Sequence, residues 1–200
     1  MSTEIISSLN WIDILLALVL IRAVYIGIKI GFVVEFFKLA GVLFAVFITL
    51  HYFSGMSQYL QDKVHLPKGA ADVFSFGFLW GLMILAFKFI REGIMLLFKV
   101  EAHSTLNTTG GFVASVARGF LLCSMAILLL RAGAMDYFTK NLENSFLAPK
   151  IVGLAPKAYE SVYNGFVSKF FPTEELNKSV SSLADLSKVG EKKKEKKEKK

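Results

Sequence analysis

The chain has a single cysteine, Cys123, and three scattered histidines, His51, His65 and His103. A lone cysteine excludes an intrachain disulfide, so cysteine carries no signal of compartment. The histidines fall on different loops or helix ends, at spacings unlike those of a metal site, and no metal or cofactor is expected. A Ser/His or Cys/His arrangement and a nucleotide-binding glycine loop are also missing, which argues against an enzyme. No basic segment precedes the first apolar stretch, and no small-residue cleavage site precedes Lys29. That stretch therefore reads as a retained helix rather than a secretory signal.

What the chain has in quantity is apolar sequence. Its 200 residues are 54% hydrophobic, with a mean hydropathy of +0.53, values that suit one small helical membrane bundle. Four apolar stretches, over residues 11–30, 31–53, 70–90 and 110–130, are each long enough for a helix to cross the hydrocarbon core. Only helices or closed barrels satisfy their backbone in lipid, and these stretches are about twice the length of a barrel strand. The expected fold is all-α: a bundle of four transmembrane helices within 1–133, in contact with the lipid bilayer. The link around residues 27–31 is so short that the first two helices should form a tight antiparallel hairpin. The link over 54–69 is polar and contains Pro67, and that over 91–109 is half apolar and could extend the third helix or lie along the interface.

Beyond the fourth stretch, residues 134–172 should form a polar segment and then an amphipathic interfacial helix. Pro156 stands where a helix would start. Ala155, Tyr159, Val162, Tyr163, Phe166 and Phe170 share one face, with Lys157, Glu160, Asn164 and Ser168 on the other. This helix should lie on the membrane surface or pack against the bundle. Residues 173–200 read as a disordered charged tail. Its last ten residues hold seven lysines and three glutamates, which supply much of the net charge of +7.

Basic residues near the helix ends predict orientation. Arg22, Lys29 and Lys38 flank the first turn, and Lys88, Arg91 and Lys99 the third link. Both would face the cytoplasm, leaving the N-terminus and the region after Leu130 on the outer side. Lys63 and Lys68, then Arg131, Lys140 and Lys150, weigh the other way. With the lysine-rich end outside, nucleic acid is not an expected partner.

Close helix approach in lipid needs small residues at four-residue spacing. Gly27 and Gly31, Gly41 and Ala45, Gly77 and Gly81, and the run Gly111, Ser115, Gly119 supply them. Intrachain packing is the simpler reading, and a dimer or gating surface the alternative. Asp13 shares a face with Leu20 and Gly27, toward the outer end of the first helix, and suits a helix-start carboxylate facing the macrodipole. Arg22 and Lys29 can snorkel to headgroups. Arg118, seven residues after Gly111, lies on the small-residue face about 12 Å into its helix. Glu35 lies about 6 Å past Gly31 from the same side, so Glu35 rather than Asp13 is the expected partner of Arg118. Such a pair either fixes helix register or lines a transport path.

The order of these residues carries a resemblance. Asn10-Trp11-Ile12-Asp13, then Gly27-Ile28-Lys29-Ile30-Gly31-Phe32 and Glu35, resemble the opening of the colicin V production protein family. A second block is similar to the family signature Asp-Arg-x-x-Gly-x-x-x-Gly-x-x-Arg-Gly. Gly111, Arg118 and Gly119 match it in register, while Asn107, Thr108 and Ser115 replace its Asp, Arg and middle Gly. Ser145 and Pro149 resemble the family's Ser-x-x-x-Pro segment after the last helix. The resemblance implies a multi-pass protein of the bacterial inner membrane that supports colicin V production or export, with links to biofilm and envelope phenotypes. The expected function is non-enzymatic support of toxin export or envelope homeostasis, with an export-machinery protein as partner. The alternative is a homo-oligomeric ion or small-solute channel using Asp13, Glu35 and Arg118.

Overall fold

The computed structural model describes residues 10–97, 105–133, 136–171 and 174–185. Among them the chain is helical, without strands. Four long helices, α1 (Trp11–Ile30), α2 (Phe32–Val64), α3 (Lys68–Leu97) and α4 (Thr105–Ala132), are each long and apolar enough to cross a membrane. They embed the protein in the bilayer.

Local chemistry sets the ends of these helices. Asn10 precedes α1, and the Asp13 carboxylate reaches back to accept the Asn10 backbone N–H at 3.0 Å, satisfying one of the donors that a helix start leaves orphaned. Gly31 separates α1 from α2 with φ +91°, a backbone state that favours glycine. The Phe32 N–H that opens α2 is accepted by the Asn107 side-chain oxygen at 2.5 Å. α2 runs past the expected end near residue 53, through the region read as a polar link, because Pro67 is the first helix breaker it meets. It ends at His65, whose φ of +57° is left-handed. At 33 residues, α2 is about 50 Å long, well beyond a hydrocarbon core of about 30 Å. Its last turns therefore stand outside the membrane. There the Ser57 hydroxyl donates to Asp72 near the start of α3 at 2.5 Å.

The packing order departs from the expected hairpin. α1 packs chiefly on α4 and has little contact with α2, which packs on α3 and α4. The turn at Gly31 splays the two helices, and the small residues of α1 receive α4 instead of α2. α4 is accordingly the most buried of the four, and Cys123, Met125, Ile127 and Leu128 are closed off from solvent along it.

Residues 136–171 and 174–185 form a cap on the end of the bundle where α1 begins. α5 (Asp136–Glu143), α6 (Ala148–Ile151) and α7 (Leu154–Val162) lead through a π-helical stretch, Tyr163–Val167, into α8 (Ser168–Phe170), and α9 (Ser179–Ala184) follows. The segment expected to be polar buries Leu142, Ile151 and Val152 against the bundle, and the expected amphipathic helix packs Ala155 and Tyr159 there as well. The Ser124 hydroxyl on α4 donates to the Val152 carbonyl at 2.8 Å and accepts from the Ala155 N–H at 2.9 Å, fastening the α6–α7 turn.

Two expectations for this region are corrected. The apolar face does not run unbroken to Phe170. Ala155 and Tyr159 are buried, but past the π-helical stretch Val167 takes the inward position while Phe166 and Phe170 are exposed. A π turn adds a residue to the helical repeat and so rotates the following face. Residues 174–185, expected to be disordered, are folded: α9 buries Val180, and the buried Arg131 of α4 donates to the Asp185 carbonyl. The rest of the expected tail, 186–200, lies outside the described residues, as do Lys99 and His103.

Candidate functional site

At the capped end, Asp13 is fully buried one turn into α1. One carboxylate oxygen accepts the Ser145 hydroxyl at 2.6 Å and the Leu147 N–H at 2.8 Å. The other accepts the N–H groups of Phe146 at 3.2 Å and Asn10 at 3.0 Å. The Ser145 oxygen also accepts the Ala148 N–H at 3.0 Å, and the Asn10 side chain donates to the Asn141 carbonyl at 2.7 Å. Pro149 falls in the first turn of α6, where a missing N–H costs nothing. The Ser145 to Pro149 segment is thus a helix start built onto the Asp13 carboxylate. Four donors on one charge form a strong, fixed array.

At the other end, a small-residue seam brings α4 against the α1–α2 turn. Gly27 faces Ser115 and Gly111, Gly31 faces Asn107, and Gly119 faces Ala23 and Leu20. A Cβ at Gly111 would come within 2.6 Å of the Gly27 carbonyl oxygen, so the two backbones are in contact. That approach lets Glu35 of α2 meet Arg118 of α4, Nε to Oε2, at 2.9 Å. Lys38, one turn further along α2, holds the other Glu35 oxygen at 2.5 Å. Glu35 is fully buried, whereas Arg118 and Lys38 are mostly covered. Asn107 provides an amide oxygen where the family motif has a carboxylate, and either group can accept from a helix N-terminus. Lys29 is exposed and lies over Tyr25, apart from this cluster.

The remaining glycines differ in what they do. Gly41 packs against Phe87, joining α2 to α3. Gly77 is in loose contact with Leu129, a Cβ there lying 3.8 Å away. Gly81, expected to pack, has nothing within 4 Å of a Cβ. α3 turns its other side to α2, which leaves Gly81 facing outward beside the exposed Phe78 and Leu82.

A third cluster had no sequence expectation behind it. His51 Nδ1 lies 2.9 Å from the Tyr159 hydroxyl, and His51 Nε2 lies 2.9 Å from Glu174. The Asn177 N–H donates to the Tyr159 oxygen at 3.0 Å. Against the Glu174 carboxylate Nε2 is the donor, while Nδ1 and the Tyr159 hydroxyl share the second hydrogen bond. Burial pushes the Tyr159 phenol above its ordinary range, which keeps it protonated. Asn177 also donates to the Leu50 carbonyl and to Ser54, tying the chain after α8 to α2. An apolar cavity of about 480 Å³ lies beside this cluster, between α2 and the α7–α8 region. The partners of His51 are more than a hundred residues away in sequence, so local spacing held no signal of them.

Among the described residues, no group of three or more His, Cys, Asp or Glu side chains is placed to hold a metal ion. Comparison with curated proteins and with solved structures found no match. A protein-family model did match: that of the colicin V production protein, over residues 12–156, a range that takes in both charge clusters and the fold as far as the start of α7.

Proposed function

The chain belongs to the colicin V production protein family, and on that premise we propose a non-enzymatic, multi-pass protein of the bacterial inner membrane. It supports toxin production and export, or envelope homeostasis, as an accessory that binds an export-machinery protein. In this reading the α1–α2 turn and the basic end of α3 face the cytoplasm, following the excess of Arg22, Lys29, Lys38, Lys88 and Arg91 there. The cap of α5–α9 then faces the periplasm and is the surface offered to a partner.

One observation carries the accessory role over the conduit. Each buried acid in the spans is saturated by fixed partners within the chain: Asp13 by four donors, Glu35 by Arg118 and Lys38. A group that passes ions must exchange its partner for water or substrate, and these groups instead fasten helices to one another. Asp13 stands near the start of α1 and Glu35 one turn into α2, past the other end of α1, so the two lie about 20 Å apart in depth by the helical rise. A homo-oligomeric channel would have to break both clusters to use them.

Crosslinking in the native membrane with identification of partners tests the proposal. A subunit of an export system among the products is the expected result. Self-crosslinks alone, from every position on the cap, would move the assignment to the oligomeric channel.

A further inference from the structure

A second cavity, of about 330 Å³, opens between α2, α3 and α4 at the end opposite the cap. Its walls are apolar, with Phe87 and Leu122 among them, yet four cations line it: Lys38, Lys88, Arg91 and Arg118. No carboxylate is among its described lining residues. Their counter-charges are few. Glu35 is shared between Lys38 and Arg118, Glu92 stands 3.6 Å from Arg91 while half exposed, and Lys88 has no ion-pair or hydrogen-bond partner among the described residues. Among the described residues, four cations against two carboxylates leave a local positive excess beside a membrane-embedded, apolar cleft.

We propose that this cleft is a binding site for the phosphate headgroup of an anionic phospholipid. An excess of cations next to apolar walls is unfavourable when empty and is complemented by an anion with an apolar body. Arginine forks match phosphate oxygens in geometry, and lysines add point charges. Basic pockets between transmembrane helices are suited to acidic headgroups. The volume fits a phosphodiester headgroup and its glycerol, with the acyl chains continuing into the bilayer along the exposed face of α3 at Leu85 and Phe89. Arg118 reaches the cleft while its Nε remains on Glu35, so the lipid extends an ion cluster that also stands without it. The site is independent of the export reading and would hold for a channel equally.

Native mass spectrometry of the full chain in an uncharged detergent tests this, with phosphatidylglycerol and phosphatidylcholine each added in turn. Retention of one phosphatidylglycerol per chain, with phosphatidylcholine lost, is expected. At about one headgroup interaction per cation, Lys88→Gln with Arg91→Gln should weaken phosphatidylglycerol retention roughly thirtyfold. The charge-keeping pair Lys88→Arg and Arg91→Lys should retain it. If the neutralised protein fails to fold, the wild-type preference and the charge-keeping pair still decide. Equal retention of both lipids, or loss of phosphatidylglycerol from the charge-keeping pair, would overturn the proposal. So would unchanged retention after neutralisation. Displacement of phosphatidylglycerol by inorganic phosphate alone would assign the cleft to a free anion and overturn the lipid.

Discussion

Glu35 and Asp13 are both buried acids, yet they answer to different partners and should fail differently. Removing one side of a buried ion pair strands the other, at about 3–5 kcal/mol. Glu35→Gln should show such a loss in denaturation from micelles, and Arg118→Gln a smaller one, because Lys38 still holds Glu35. The double substitution should cost clearly less than the two combined, because Glu35 and Arg118 are then removed together and only Lys38 is left without its partner. Additive losses would mean that the two side chains do not act together. Asp13→Asn should act on the cap instead. Whichever way the new amide is turned, its NH₂ faces two donors, so roughly 2–4 kcal/mol of the array is lost. Faster hydrogen exchange over 145–151, with α2 and α3 unaffected, is the expected signature. The Glu35–Arg118 pairing was legible in the sequence, since both positions could be placed by depth and by helix face. The role of Asp13 was only half legible. Its helix-start position could be read, but its tie to Ser145 joins segments 132 residues apart, and no local pattern records that.

At the scale of elements, the seam between α1 and α4 depends on backbone touching backbone, and the glycines divide accordingly. Gly111→Ala drives a methyl into the Gly27 carbonyl and should cost about 1–3 kcal/mol. Gly81→Ala meets open space and should be neutral, or stabilising by up to about 1 kcal/mol from helix propensity. Thermal denaturation of the two variants separates them, and equal effects would put the seam elsewhere. The sequence showed which residues were small but not which helix each faces, because a four-residue stripe marks closeness without naming the neighbour. Hence the expected α1–α2 hairpin gave way to an α1–α4 pair. The cap was legible only in part for a related reason. Its short, polar helices carry weak signals of their own and are held by distant partners such as Ser124 and His51. His51→Phe keeps the aromatic bulk but removes both hydrogen bonds, so exchange protection at Asn177 should fall while α1–α4 stay folded. Unchanged protection there would show that Asn177 and α9 hold the arm without His51.

For the molecule as a whole, α4 is the post against which α1 and α2 pack, α3 rests chiefly on α2, and each end of the bundle is closed by one buried acid. The Asp13 cluster binds the start of α1 to the cap, and the Glu35 cluster binds the start of α2 to α4. This arrangement places fixed charge where a scaffold needs it and leaves no buried acid of the bundle unpaired among the described residues. Four apolar spans were legible from composition and length alone. Their arrangement was not, since lipid-facing and helix-facing apolar residues look alike in sequence when the solvent is itself apolar. That the buried charges join helices rather than carry ions is tested most directly by reconstituting the full chain into liposomes and measuring ion and small-solute flux. The predicted result is flux no greater than in protein-free liposomes, for the wild type and for Glu35→Gln alike. Flux through the wild type that Glu35→Gln abolishes would contradict it.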